Sequence, residues 1–341
     1  MSLVYIGNFL GSNPGFYSGP NKWIVDTLIK SNYDVKFGSK KFGKIARIID
    51  MLKIILLNRK KADLVLLDTY SSQAFYFALL VSFFCRLFKL KYVVILHGGD
   101  LPTRYKNSPK LSILLLKNAQ VVIAPSDYLK QKTSEAFGIE PIIIRNPIEL
   151  NLYHFRQREI IEPVLLWVRS FQEVYNPFMA IQVVEKLKAK YPNVRLYFVG
   201  PDKSNMLPEI KSRINTLKLE KNVFIMGKMS VIEWLKFSEE CNIFINTTHK
   251  DNTPVSVLEA MALGLPVVST RVGGIPYLLN ENFDGLCCND NDFEDMAKKI
   301  ELLIGDFNLV KNITNRAKFK IDTNYDGEII FNQWVNLIES I

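Results

Sequence analysis

Short runs of apolar residues alternate with longer amphipathic segments along the whole chain. Such runs are typical of buried strands of a parallel sheet, and the segments between them have the length and periodicity of helices. The alternation therefore predicts a parallel α/β architecture. The strands expected in the first half are 3–6, 64–67, 92–96, 121–124 and 141–144, and those in the second half are 164–168, 194–199, 223–226, 243–245 and 266–270.

The helices are expected to lie between these strands. Ala74–Cys85 is the most apolar stretch, but it stops at Arg86 and is far too short for a membrane span, so a buried helix is predicted there. The full set of expected helices is 20–31, 45–57, 73–88, 109–118 and 127–137, followed by 177–190, 208–217, 231–239, 256–262 and 292–303.

The strand pattern falls into two groups of about five, and 341 residues is long for one domain. We therefore predict two Rossmann-like doubly wound domains, at residues 1–157 and 158–322. A C-terminal helix at 323–341 is expected to pack back towards the first domain, and 151–163 is the expected linker. If the two sheets face each other, the carboxyl ends of their strands surround one cleft, and ligands bind at that edge of such sheets.

Composition adds few constraints. Hydrophobic residues make up 48% of the chain and charged residues 23%, as in ordinary soluble globular proteins. The four cysteines and three histidines have no metal-ligand spacing, which favours reduced thiols in a cytoplasmic protein and no metal site. The N-terminus has neither the charged nor the long apolar region of a signal peptide.

The net charge of +9 is unevenly distributed, because residues 1–157 carry +12 and residues 158–341 carry −3. Many of the basic residues lie within 40–61, around the apolar run 54–57. This pattern indicates contact with an anionic membrane surface or an anionic acceptor, and equally fits a solvated basic face on a core helix. Nucleic acid is disfavoured, because no stacking aromatics are interleaved with the basic residues and no nucleic-acid motif is present.

The most informative segment is Asp-Asn-Thr-Pro-Val-Ser-Val-Leu-Glu-Ala-Met-Ala-Leu-Gly-Leu-Pro-Val-Val at 251–268, followed by Val-Gly-Gly at 272–274. It predicts a turn and then a helix with Ser256 as its N-cap. Unpaired N–H groups at a helix start suit a diphosphate, and here they are the amides around Pro254–Val257, those of Val255, Ser256 and Val257. Glu259, one turn further, can accept hydrogen bonds from ribose hydroxyls, or it is an ordinary first-turn acid.

This segment resembles the E-x7-E signature of the family-4 retaining glycosyltransferases, which have the GT-B fold of two facing Rossmann-like domains and an interdomain cleft. The resemblance implies that Glu259 holds the nucleotide ribose. It places Asp251 at the first acid position, near the donor sugar, although aspartate is one methylene shorter than the usual glutamate.

Two further loops are similar to the family pattern. Arg169 follows the first strand of the second half, where the resemblance implies a cation for the donor diphosphate. The lysine expected several residues later is replaced by Asn176, which is neutral. In the run His-Gly-Gly-Asp at 97–100, His97 is similar to the histidine that contacts the donor sugar, and Asp100 is expected to bind the acceptor or to orient His97.

Glycine-bearing loops complete the expected site. The loop 11–19 is similar to the glycine-rich loop of the family, and Gly15 is its candidate donor contact. Gly200 and Gly227 each end a strand, and with Met229 they are expected to lie in the loops beneath the nucleotide base.

The resemblance implies a metal-independent, retaining transfer from a nucleotide-diphosphate sugar, with UDP or GDP as the nucleotide and no cofactor. The expected acceptor is a glycan or lipid-linked hydroxyl in the assembly of a bacterial surface polysaccharide, such as lipopolysaccharide or capsule. The expected location is the cytoplasm, at the inner face of the membrane. Two alternatives stay open: a nucleotide-sugar epimerase or phosphorylase on the same fold, and a degenerate, non-catalytic subunit that binds sugar nucleotides.

Overall fold

The structure is a computed structural model that describes residues 1–10 and 19–341. The chain forms two compact units, Met1–Pro147 with Gly327–Ile341, and Ile148–Asp326. Each unit holds one six-stranded sheet, and every strand pair is parallel.

The strands of the first sheet occur in the spatial order β2-β1-β3-β4-β5-β6, and those of the second in the order β12-β11-β10-β7-β8-β9. Their bounds are β1 Ser2–Ile6, β2 Asp34–Gly38, β3 Leu64–Thr69, β4 Tyr92–Leu96, β5 Val121–Ala124, β6 Ile142–Ile143, β7 Val164–Val168, β8 Arg195–Val199, β9 Val223–Gly227, β10 Ile243–Asn246, β11 Val267–Thr270 and β12 Leu286–Cys288.

The described helices cover both faces of each sheet. They are α1 Pro20–Lys30, α2 Lys44–Asn58, α3 Ala74–Leu87, α4 Leu101–Asn107, α5 Pro109–Lys117, α6 Asp127–Phe137, α7 Pro177–Lys188, α8 Leu207–Thr216, α9 Val231–Ser238, α10 Val255–Ala262, α11 Ile275–Leu278, α12 Phe293–Gly305, α13 Phe307–Asn324 and α14 Gly327–Ser340. Within the described ranges, none of them is long and apolar enough to cross a membrane.

The continuous apolar runs of the central strands reflect burial on both faces of a sheet. In β1, Val4 and Ile6 belong to one core, whereas Leu3 and Tyr5 belong to the core on the opposite face. Trp334 of α14 joins the second of these cores, so the C-terminal helix belongs to the first unit.

Each sheet has six strands, so the prediction of about five was too low. The two that were missed, β2 and β12, both lie at sheet edges. β2 has only two of its five residues buried, and β12 is three residues long, so neither has a continuous apolar run. The short helices α4 and α11 and the polar α13 were missed as well.

The prediction that 74–85 forms a buried helix was wrong for one of its faces. α3 buries Phe75, Ala78 and Val81 against the sheet, but Tyr76 and Phe83 on its opposite side are about half exposed. Its almost wholly apolar sequence hid this, because no polar residues mark the solvent side.

The segment expected to be a linker, 151–163, is packed into the second unit by Arg158. Its side chain is 3% exposed and donates hydrogen bonds to the backbone carbonyls of Cys241, Leu263 and Ser238 at 2.8–3.1 Å. Burial lowers the pKa of Arg158 to about 10, which still leaves the guanidinium charged at neutral pH. A buried cation thus satisfies the carbonyls at the ends of two helices.

We expect Arg158→Met to lower the free energy of unfolding by about 3 kcal/mol, because it leaves several buried carbonyl groups without hydrogen-bond donors. Arg158→Lys should recover part of the loss. Urea denaturation followed by circular dichroism measures both. The neighbouring Arg156, which donates to the Glu239 carbonyl near the surface, is the matched control, and Arg156→Met should cost less than about 1 kcal/mol. Equal losses at the two positions would contradict this role for Arg158.

Candidate functional site

The candidate site lies where the strand order of the second sheet reverses direction. From the neighbouring strands β7 and β10, the chain continues to β8 and β9 on one side and to β11 and β12 on the other. Ligands bind outside the carboxyl ends of strands at such a switch point. Arg169 follows β7 directly, and the loop with Asp251 follows β10, so two of the predicted residues meet there.

Arg169 is held in place by a carboxylate and an aromatic ring. Its Nη2 donates to Oδ2 of Asp251 at 2.5 Å, and its guanidinium carbon lies 4.8 Å from the ring centre of Tyr175. Both charged side chains are mostly buried, at 14% and 16% exposed. The Nε of Arg169 is buried without a hydrogen-bond partner among the described residues. The guanidinium therefore has a donor group left for an anionic ligand.

Two glycines allow the loops of the site to approach at backbone contact. A Cβ atom on Gly200 would lie 1.8 Å from the carbonyl oxygen of Arg169, and one on Gly273 would lie 2.1 Å from that of Asp251. Gly273 also has a φ of +53°. Side chains at these positions would push both loops away. This accounts for the Val-Gly-Gly run in structural terms, while a contact of Gly200 with a nucleotide base stays a prediction.

Helix α10 begins beside this ion pair, at Val255, so Ser256 is not its N-cap as predicted but its second residue. The first N–H groups of a helix have no acceptor within it. The N–H of Val257 is already bonded to the Pro254 carbonyl at 3.0 Å. The hydroxyl of Ser256 is buried and has no partner among the described residues. The start of α10 therefore presents donors suited to an anion.

Glu259 is 7% exposed, in contrast to an ordinary solvated first-turn acid. The hydroxyl of Tyr153 donates to its Oε1 at 2.8 Å. Burial raises the pKa of Glu259 to about 7, against the smaller lowering effects of that hydrogen bond and of the charge on Arg169. The carboxyl group therefore changes between its neutral and charged forms close to physiological pH.

The other residues predicted to contact the donor have structural partners. Asn176 caps α7, with its Oδ1 accepting from the Met179 N–H at 3.1 Å and its Nδ2 donating to Asn291 at 2.8 Å. The carbonyl of Gly227 accepts from the N–H of Gly200 at 2.8 Å, and Met229 packs against the core. Their contacts with a donor stay predictions.

The expectation that the chain has no Asp-x-Asp sequence to bind a metal was wrong, because one is present at 290–292. Asp-x-Asp runs can hold divalent metals through carboxylate oxygens. Here Asp290 is paired with His249 at 2.8 Å, and Asp292 caps α12 by accepting from the Asp295 N–H. Both carboxylates thus have partners within the second unit.

In the first unit, His97 follows β4 and is anchored by Asp68, a residue that the sequence analysis did not single out. Its Nε2 lies 2.8 Å from Oδ1 of Asp68, and its ring stacks on Tyr70 with centres 4.9 Å apart. The fully buried Asp68 carboxylate also accepts from the Tyr5 hydroxyl at 2.9 Å and from Asn21 at 3.1 Å. A charged residue within the otherwise apolar run of β3 is the signal that marks it.

For Asp100 and Gly15, the structure does not test the predicted roles in binding. Asp100 occupies the position before α4, where its side chain makes no capping hydrogen bond, and the carboxylate at His97 Nε2 is that of Asp68. Gly15 lies outside the described residues.

Comparison with known proteins agrees with this architecture. Residues 155–320 match the model of the family "Glycosyl transferases group 1". The chain is 27% identical over 263 residues to the N-acetyl-alpha-D-glucosaminyl L-malate synthase of Bacillus anthracis, covering 72% of this chain and 67% of that protein. It is 26% identical over 269 residues to the amylovoran biosynthesis glycosyltransferase AmsK of Erwinia amylovora, covering 74% and 64%.

Among solved structures, Anabaena Alr3699/HepE in complex with UDP matches with a TM-score of 0.77 at 17% identity, covering 100% of both chains. The predicted fold class, two parallel sheets with flanking helices as in GT-B proteins, is therefore confirmed. Through residues 155–320, the chain is similar to the group 1 glycosyl transferases.

The raised pKa of Glu259 predicts a pH-dependent effect of Glu259→Gln on the unliganded protein. An acid whose pKa rises on folding, here from 4.5 to about 7, contributes stability at low pH that is lost as the pH rises through this window. The substitution should therefore stabilise the protein by about 3 kcal/mol at pH ~8 and by much less at pH ~5.

Urea denaturation at the two pH values measures this difference. The exposed Glu209 near the start of α8 is the matched control, and Glu209→Gln should have the same small effect at both. A stability gain in Glu259→Gln that does not depend on pH would contradict a buried carboxyl that ionises near neutrality.

Proposed function

We propose that this protein transfers a sugar from a nucleotide-diphosphate sugar to a hydroxyl group of a glycan or lipid-linked acceptor, in bacterial surface polysaccharide assembly. The observation that carries the proposal is the group of Arg169, the donors at the start of α10 and the buried Glu259 at one switch point. The names of the two relatives, one an amylovoran biosynthesis glycosyltransferase, and the UDP bound by HepE support it.

The donor diphosphate is assigned to Arg169 and the first turn of α10. A cation and a phosphate at contact distance near a protein surface attract by about 4 kcal/mol. As the bond to the sugar breaks, negative charge grows on this phosphate, so the same groups stabilise the transition state more than the ground state. Because Asn176 is neutral and supplies no second cation, most of the stabilisation of this charge comes from Arg169 and the start of the helix.

Asp251 is the counter-ion of Arg169 while no donor is bound. A diphosphate at Arg169 competes with this carboxylate, which can then turn to a sugar hydroxyl, the role assigned to the first acid. The ribose is assigned to Glu259, whose ionised form accepts hydrogen bonds from two vicinal hydroxyls. The sugar contact of His97 is proposed on the family resemblance.

The proposed reaction retains the configuration of the anomeric carbon. The acceptor oxygen attacks this carbon on the face from which the diphosphate departs, the bond between the carbon and the phosphate oxygen breaks, and a new carbon–oxygen bond forms. The departing phosphate oxygen takes the proton of the acceptor hydroxyl, which balances the step without a separate base. The protein contributes positioning and electrostatic stabilisation.

We further propose that the reaction needs no metal ion and no cofactor. The engaged carboxylates of Asp290 and Asp292 support this, because each already has a protein partner. Turnover should therefore be unchanged by EDTA. The proposed location is the cytoplasm, at the inner face of the membrane.

The two alternatives make different products. An epimerase converts its sugar nucleotide without an acceptor, and a degenerate subunit binds donor without any turnover. Both relatives are named for glycosyl transfer or synthesis, which does not favour either alternative. Product analysis by mass spectrometry, with and without acceptor, separates the three functions.

The first test is a thermal-shift panel of UDP, GDP, ADP and CMP. A ligand at about 100 times its Kd adds about 2.7 kcal/mol of apparent stability. One nucleoside diphosphate should raise the melting temperature, and Arg169→Met should weaken its binding about tenfold or more, because the diphosphate loses its cation. Glu259→Ala should also reduce the shift.

Arg195 is the matched control, since it begins β8 at the opposite end of the same sheet and pairs only loosely with Glu162, at 3.7 Å. Arg195→Met should leave the nucleotide shift unchanged. If no nucleotide stabilises the protein, or if both arginine variants bind it equally well, the proposed donor site is wrong.

A further inference from the structure

Exposed apolar side chains are concentrated on one side of the first unit. Of the 26 large hydrophobic residues exposed within the described ranges, twelve lie on α2, α3 and α5 or just before α2. We call these twelve residues and the basic residues around them the α2–α3–α5 surface. The twelve are Phe42, Ile45, Ile49, Leu56, Leu57, Tyr76, Leu80, Phe83, Leu87, Leu111, Ile113 and Leu114.

These three helices form one layer, so their outer sides face the same way. Met51 of α2, Phe75 of α3 and Leu115 of α5 are buried in a single core against one face of the first sheet. α3 lies between the other two helices and contacts both of them. The exposed residues of neighbouring helices therefore form one surface rather than scattered spots.

The exposed residues of α3 form a stripe along the helix axis. They occur at 76, 80, 83 and 87, the spacing of one helix face. On α2, Ile45, Ile49 and Leu56 form a second stripe, and Ile45 is 76% exposed. Helical faces turned to water are normally polar, so two neighbouring apolar stripes indicate a surface that is covered when the protein functions.

The charges around the apolar stripes indicate the chemical nature of the partner that covers them. Residues 40–117 contain 15 Lys and Arg and only four Asp and Glu. Lys44, Lys53 and Lys60 around α2, and Lys110 and Lys117 of α5, are exposed. In the part of the chain that the structure describes, none of these five lysines takes part in an ion pair.

We propose that the α2–α3–α5 surface docks on an anionic lipid bilayer, with the apolar stripes inserted among the headgroups and the lysines on the lipid phosphates. Apolar stripes bordered by unpaired lysines are the pattern of helices that lie in the plane of such an interface. A second copy of the chain fits less well, because its equivalent surface would bring like charges together. The proposal specifies the membrane contact of the proposed function but does not depend on sugar transfer.

The test is co-sedimentation of the full chain, without donor, with vesicles of phosphatidylcholine alone or with about 30% phosphatidylglycerol. Wild-type protein should bind the anionic vesicles, and added salt should weaken this binding. Leu80→Glu with Phe83→Glu should lower the partition coefficient about tenfold or more, because it removes apolar insertion and adds repulsion. Lys53→Glu with Lys60→Glu should lower it by a similar factor.

The matched control is Ile232→Glu with Phe319→Glu, two residues of the second unit that are 79% and 70% exposed. This variant should bind vesicles as wild type does. Unchanged melting temperatures show that the variants are folded, and light scattering after gel filtration reports the oligomeric state. We call Leu80→Glu with Phe83→Glu the stripe variant. Three results would overturn the proposal: wild-type protein that does not bind anionic vesicles, equal losses of vesicle binding in the stripe and control variants, or a wild-type oligomer that dissociates in the stripe variant.

The nucleotide shift separates this proposal from that of the donor site. The stripe variant should keep the thermal shift of wild type, because its substitutions lie in the first unit and the proposed diphosphate contacts lie in the second. A protein that binds anionic vesicles but no nucleotide would retain the docking surface and lose the proposed function. If the protein binds nucleotide but no vesicles, the proposed donor site stands and the docking surface is wrong.

Discussion

The close approach of backbone segments at the carboxyl edge of the second sheet is the constraint on which the candidate site depends. Where Gly200 meets Arg169 and where Gly273 meets Asp251, there is no room for a Cβ atom. These contacts fix the loop after β7 against the loop after β8, and the loop after β10 against the loop after β11. The pairing of β7 with β10 brings the two fixed loops together, close enough for a 2.5 Å ion pair between their side chains. The position of the cation is thus set by the backbone before any ligand binds. Catalysis by positioning and electrostatics requires such preorganisation.

Both units bury a carboxyl group beside polar partners, with different consequences. Asp68 has a tyrosine hydroxyl, an asparagine amide and the imidazole of His97 around it, and it acts as an anchor for that ring. Glu259 has one tyrosine hydroxyl, and burial dominates, so its pKa is raised to about 7. A carboxyl group short of donors in the free protein is suited to take up ligand hydroxyl groups, which supply the missing hydrogen bonds.

The sequence predicted what depends on local pattern. Continuous apolar runs located the central strands, and the rule that ligands bind at strand ends predicted Arg169 and Asp251 at one edge of the sheet. Edge strands such as β2 lack that signal. Tyr153 and Glu259 are 106 residues apart, and His97 and Asp68 are 29 apart, so their pairing exists only in the tertiary structure. The exposed face of α3 was missed because the helix is almost wholly apolar, so no polar residues mark the side that faces solvent.

The most direct test of the central claim is a crystal structure of the protein soaked with the nucleoside diphosphate that stabilises it most. The account predicts the diphosphate on Arg169 and the first turn of α10, the ribose hydroxyls on Glu259, and Asp251 no longer paired with Arg169. A nucleotide bound elsewhere, with the ion pair between Arg169 and Asp251 intact, would contradict it.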